Sequence, residues 1–154
     1  MFRDLASGRD RSRQSAAQRK GAKRVTERQR FGTGTVWEER FGYSRAIRVG
    51  DLVFVAGTTA TDDNGQLVGP DDPEAQARFI IEKIGRALAA VGASLSDVVR
   101  TRVYITRADD WQAVGRAHAH YFGEIRPANT LVETSALIGD GYLVEIDADA
   151  VISR

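Results

Sequence analysis

Between residues 73 and 91 apolar side chains recur at steps of three and four. Ala77, Ile80, Ile81, Ile84, Leu88 and Val91 fall on one stripe, while Gln76, Arg78, Glu82, Lys83 and Arg86 occupy other faces. That spacing matches the helical repeat and predicts an amphipathic helix. Asp71 or Asp72 supplies an N-cap, Pro73 suits the first helical position, Glu74 complements the positive helix end, and Gly92 provides the stop. A second, shorter helix is predicted with Asp109 or Asp110 as its cap, Trp111, Val114, His118, Tyr121 and Phe122 on its apolar face, and Gly123 at its end.

The remaining pattern alternates with a period of two. Short extended segments are expected near Thr35 to Glu38 and from Ser44 to Val49, and Gly50-Asp51 joins Ala46 to Val49 with Leu52 to Ala56 as a hairpin. Asp63-Asn64-Gly65 predicts a tight turn, because Asn-Gly tolerates positive φ. Val98 to Ile105 predicts a strand with Thr101, Val103 and Ile105 on one face and Arg100, Arg102 and Tyr104 on the other. Thr130 to Ala136 and Tyr142 to Ile152 complete the strands, separated by Gly139-Asp140-Gly141. In the last strand Val144, Ile146, Ala148, Ala150 and Ile152 alternate with Leu143, Glu145, Asp147, Asp149 and Val151, so three carboxylates share one face. The order strands, helix, strand, helix, strands predicts an α+β sandwich with both helices on one sheet face.

At 154 residues and 42% hydrophobic content, the chain fits one domain with one core. Neither an apolar run long enough for a membrane span nor a secretory signal stands out, so the expected compartment is the cytoplasm. With no cysteine and only His118 and His120 as imidazoles, metal ligation has little to draw on, and no metal site is expected. The two histidines are two residues apart on a predicted helix and face away from each other, His118 toward the core and His120 toward solvent. The formal charge of +1 hides an asymmetry: residues 1–30 hold ten basic and three acidic side chains, leaving twelve basic and eighteen acidic ones in the rest. Residues 1–22 read as a disordered basic tail and 23–154 as the folded domain. The acidic body argues against nucleic acid as a partner.

Four segments in sequence carry a family resemblance. Gly42-Tyr43-Ser44-Arg45-Ala46, followed by Val49 to Gly57, resembles the signature of the Rid family (RidA/YjgF/YER057c/UK114), in which a Gly-Pro-Tyr-Ser turn precedes a strand ending in Ser-Gly. Val98 to Thr106 resembles the family's central strand, Arg126-Pro127-Ala128-Asn129-Thr130 with Val132-Glu133 its Pro-Ala-Arg-Ser loop, and Leu143 to Ala148 its closing Val-Glu-Ile-Glu-Ala strand. The resemblance spans Gly34 to Ile152. It implies a six-stranded sheet backed by two helices, the chorismate-mutase-like fold, assembled as a homotrimer with small-molecule pockets between subunits. It also implies hydrolysis of reactive enamines and imines without metal or organic cofactor.

Position by position, the family tyrosine corresponds to Tyr43, the serine before glycine to Ala56 beside Gly57, the substrate-binding arginine to Asn129 and the water-positioning glutamate to Glu145. Asn129 donates a hydrogen bond but no charge. Losing a buried charge-assisted pair with a carboxylate costs on the order of 2 to 5 kcal/mol, so the chain is expected to be an atypical member. Arg102 is the candidate replacement cation. Its alternative is structural pairing within the set Arg100, Arg102, Glu133, Glu145, Asp147 and Asp149. Tyr43 is a candidate substrate contact or a packing aromatic, Trp37 a packing residue near enough to Tyr43 to be a pocket wall, and Trp111 a packing residue. Three functions stay open: an enamine/imine deaminase with altered substrate preference, a binding or regulatory trimer that keeps the pocket without hydrolysis and, disfavoured by the acidic body, RNA binding or ribonuclease action.

Overall fold

A computed structural model describes residues 27–153; the basic segment expected as a disordered tail lies outside them. Strands β1 (Arg28–Phe31), β2 (Ala46–Val49), β3 (Leu52–Thr59), β4 (Val98–Ile105), β5 (Ala128–Glu133) and β6 (Val144–Val151) form one sheet in the order β1-β2-β3-β6-β4-β5. Every neighbouring pair is antiparallel except β4 and β5. These two are joined by α3 (Trp111–Phe122), the crossover that a parallel pair requires. The long helix α2 (Pro73–Ala90) packs on α3 and lies over β3 and β6.

The core lies between this helical layer and one face of the sheet. Ile80, Ile81, Ile84 and Leu88 of α2 are buried against Val53 and Val55 of β3, Val103 and Ile105 of β4, and the alternating Val144, Ile146, Ala148 and Ala150 of β6. Each fully buried aliphatic side chain contributes about 1.5 to 3 kcal/mol, so this stripe fixes which face of β6 turns inward. Glu145, Asp147 and Asp149 are thereby directed to the opposite face, which no described helix covers. Leu52, Phe54 and Val151 leave exposed apolar surface; their strand positions alternate with inward residues and put them on that same face.

The predicted signals of the first helix have direct counterparts, whereas Asp110 precedes α3 without a side-chain capping bond and pairs with Arg107. Asp72 accepts a hydrogen bond from the Ala75 amide at 2.9 Å, and Pro73 occupies the first turn. Gly92 has φ +79°, while the amides of Gly92 and Ala93 return to the carbonyls of Ala89 and Leu88. That double return is a Schellman termination, which favours glycine at the left-handed position.

Four local expectations change. Residues 35–38 do not form an extended segment: they belong to α1 (Val36–Phe41) and its N-cap Thr35. The Glu38 carboxylate folds the preceding loop back by accepting from the Thr33 amide and hydroxyl and the Gly34 amide. β1 was not expected, because its Arg-Gln-Arg-Phe sequence lacks an alternating apolar signal; pairing with β2 makes it a strand. Trp111 is 57% exposed instead of packed. Gln76, expected on a polar helix face, is fully buried. Its amide donates to the carbonyls of Gly69 and Gly141 and accepts from the Leu143 amide, tying the start of α2 to two loops.

Candidate functional site

The β3–β6 ladder runs regularly to Val55 opposite Ala148 and resumes at Thr58 opposite Ile146. Ala56 and Gly57 therefore face the single residue Asp147 across a bulge, a device that re-aims local groups. Gly57 lies against the Glu145 side chain: a Cβ at position 57 would overlap Glu145 Oε1. Glu145 is half-buried, and burial pushes its carboxyl above the ordinary carboxylate range, with Arg45 opposing the shift and Asp147 adding to it.

Arg45 organises this corner. Its Nη1 donates to Gly57 O at 2.9 Å and Thr58 Oγ1 at 3.1 Å, and the Thr58 hydroxyl donates onward to Ala56 O at 2.8 Å. The guanidinium carbon stands 5.6 Å from the centre of the Tyr43 ring. Tyr43, Ala56, Gly57 and Glu145 are thus gathered at one end of β3, as four of the residues singled out in the sequence. Arg45 was not singled out for a role there, although it lies two residues beyond Tyr43 inside the matched turn. A cation in that turn was the available signal.

Arg102 is committed elsewhere. Its Nε is 2.7 Å from Asp147 Oδ1, and its Nη1 and Nη2 donate to the two oxygens of Asp149 at 3.0 and 3.1 Å. The Asp149 bonds hold the guanidinium pKa above its usual value despite partial burial. Asp147 is nevertheless pushed upward, because desolvation outweighs the attraction of Arg102. Of the two roles considered for Arg102, this geometry is the structural pairing. Glu133, by contrast, accepts from the Ala108 amide at 2.7 Å.

Asn129 lies on the other side of the sheet. It pairs with Thr101 in the β4–β5 ladder, and its Nδ2 donates to Thr101 Oγ1 at 2.9 Å. Thr101 is fully buried toward the helices, and its hydroxyl lies 2.9 Å from His118 Nε2. Burial lowers the His118 pKa, favouring the neutral ring, which also stacks at a tilt on Phe122. Val103, Val114, Gly115, His118, Asn129 and Leu131 border a recess of about 110 Å³. Within one chain, Asn129 and Glu145 are therefore on opposite faces of the sheet.

Among the described residues, no group of three or more His, Asp or Glu side chains is placed to hold a metal ion. No described helix is long and apolar enough to cross a membrane.

This mixed sheet, with its helical layer on one face and its glutamate beside a bulge, defines an α+β protein of the Rid fold. A family model described as Endoribonuclease L-PSP matches residues 37–152, and the chain belongs to that family, the YjgF/YER057c/UK114 or Rid proteins. A solved Mycobacterium tuberculosis member is 47% identical, covers 82% of this chain and 100% of its own, and superposes with a TM-score of 0.75. An uncharacterized Streptomyces coelicolor protein is 39% identical over 79% of this chain and 90% of its own length. A 3-aminoacrylate deaminase RutC of Acinetobacter baylyi is 33% identical over 68% of this chain and 82% of its own.

Proposed function

We propose that this protein is a homotrimeric, cofactor-free hydrolase of reactive enamines or imines, atypical in having Asn129 where the family resemblance expects an arginine. The observation that carries the reading is Glu145, a half-buried carboxylate beside Gly57 whose affinity for a proton is raised by burial. A carboxylate made more basic in this way suits general-base work. It takes a proton from water as the oxygen adds to the C=N carbon and delivers it to nitrogen, giving a carbinolamine; it then takes the hydroxyl proton and passes it to nitrogen as the C–N bond breaks, so imine and water become carbonyl compound and ammonia. A deaminase among the relatives supports this chemistry.

Trimerisation is part of the reading. The apolar side chains left exposed by one chain, and the separation of Asn129 from Glu145, are accommodated if neighbouring subunits bring the two sheet faces together around one pocket. An assay with 2-aminoacrylate generated in situ tests it: wild type is expected to accelerate ammonia release, and Glu145→Gln to lose at least about a hundredfold, the usual contribution of a general base. The uncharged Asn129 favours a second reading, a ligand-binding trimer without hydrolysis. No acceleration by wild type, with activity appearing in Asn129→Arg, selects that second reading.

A further inference from the structure

The position expected to carry a cation holds a neutral amide, and Arg102 is occupied by Asp147 and Asp149. A different cation stands beside Glu145. We propose that Arg45 is the anion-binding residue of this site and receives the carboxylate of a small ligand on its Nε–Nη2 edge. The inference rests on the reading that the Glu145 corner is the ligand site, and it adds the residue that selects an anionic ligand there.

Arg45 has the donor inventory for this role. Its two bonds to Gly57 O and Thr58 Oγ1 both run from Nη1. Thr58 gives its own proton to Ala56 O, so its oxygen is an acceptor toward Arg45. Among the described residues no hydrogen bond or ion pair engages Nε or Nη2. Those two nitrogens form one of the edges that grip a carboxylate with parallel bonds. The Nη1 bonds and the Tyr43 ring beneath the guanidinium hold that edge in place before a ligand arrives, which reduces the ordering cost of binding.

The surroundings reinforce the charge. Lys83 is half-buried nearby and donates to Thr61 O at 2.7 Å; burial and the repulsion of Arg45 and Arg86 lower its pKa against the attraction of Asp63 and Asp62. Glu38, the other carboxylate influenced by Arg45, is already held by Thr33 and Gly34. In a 2-imino or 2-amino-2-enoic acid the carboxylate is bonded directly to the carbon that water attacks. Anchoring that carboxylate on Arg45 brings the reacting carbon to the Glu145 side of the pocket. An arginine that only braced the bulge would discriminate between no ligands.

Acrylate and acrylamide differ in charge while matching in size, so they isolate the anchor. Both are titrated into the assembled full-length protein by calorimetry, with amide NMR shifts at Tyr43 and Gly57 as a second readout. Acrylate is expected to bind wild type at least about thirtyfold more tightly than acrylamide, the lower end for a charge-assisted pair. Arg45→Gln should remove that preference and leave acrylamide binding in place, and Arg45→Lys should keep part of it. Equal affinities in wild type, or an acrylate preference unchanged in Arg45→Gln, overturns the proposal. Loss of both ligands in Arg45→Gln and Arg45→Lys alike also overturns it, since that marks a brace and not an anchor. The binding test is separate from turnover: wild type that does not hydrolyse 2-aminoacrylate but binds acrylate through Arg45 refutes hydrolysis and leaves the anchor standing.

Discussion

At the scale of single residues, the site separates groups that bind from groups that hold. Glu145 is desolvated, so the folded protein retains its proton more tightly than an unfolded chain does. A raised carboxyl pKa contributes stability at low pH, and this is lost as pH rises from the unfolded value through the folded one. Above the ordinary carboxylate range this desolvation therefore opposes folding, and Glu145→Gln is expected to raise the melting temperature at pH 7 while lowering hydrolysis. A thermal melt with no rise at pH 7 would show that the assembled protein solvates or pairs this carboxylate. His118 carries the opposite linkage. Its pKa is lowered from 6.5 by burial, so stability is present above that value and falls as pH drops through it toward the folded pKa. The slope is at most about 1.4 kcal/mol per pH unit for one proton. Denaturant melts from pH 7.5 to pH 5 should lose part of their slope in His118→Phe; an unchanged slope assigns acid sensitivity to other groups.

At the scale of elements, the buried Gln76 links helix and loops. Its amide serves Gly69 O, Gly141 O and the Leu143 amide, so Gln76→Leu leaves three backbone groups to find other partners. A buried group left unpaired costs about 1 to 3 kcal/mol, and the expected loss is at least about 3 kcal/mol, read as a shift in the denaturation midpoint. A loss below about 1 kcal/mol would mean that water replaces the amide. The sequence conceals this residue because helical periodicity assigns faces by hydrophobicity, and glutamine scores as surface. Periodicity succeeds where burial follows polarity: the alternating strands β4 and β6 match their predicted patterns, as do α2 and α3 apart from Gln76 and Trp111. It fails for β1, whose partner defines it, and for α1, where the bonds of Glu38 to the loop outweigh extended propensity. The candidate site was legible as residue identities in matched turns. Face and pairing were not: nothing local to Asn129 directs it to Thr101, and nothing local to Arg102 announces the double grip of Asp147 and Asp149.

At the scale of the whole molecule, the sheet face that no described element covers is the feature the proposed trimer accounts for. Phe54 lies opposite Asp149 in the β3–β6 ladder and keeps 43% of its surface exposed, with Leu52 and Val151 beside it. In the proposed trimer, burying such side chains between subunits would stabilise association by about 25 cal/mol per Å², while the Arg102–Asp147–Asp149 cluster would arrive already paired and so limit the desolvation penalty. Phe54→Glu introduces an unpaired carboxylate at that surface without touching the helical core. It is expected to convert a trimer into monomers that retain the wild-type circular dichroism spectrum, with masses measured by analytical ultracentrifugation. If the pocket is shared, the same variant should lose acrylate binding as well as assembly, since Asn129 and the Arg45–Glu145 corner would no longer face one another. Monomers that bind acrylate with wild-type affinity would place the anion site within a single chain, and a trimer that survives Phe54→Glu would move the subunit contact to another surface.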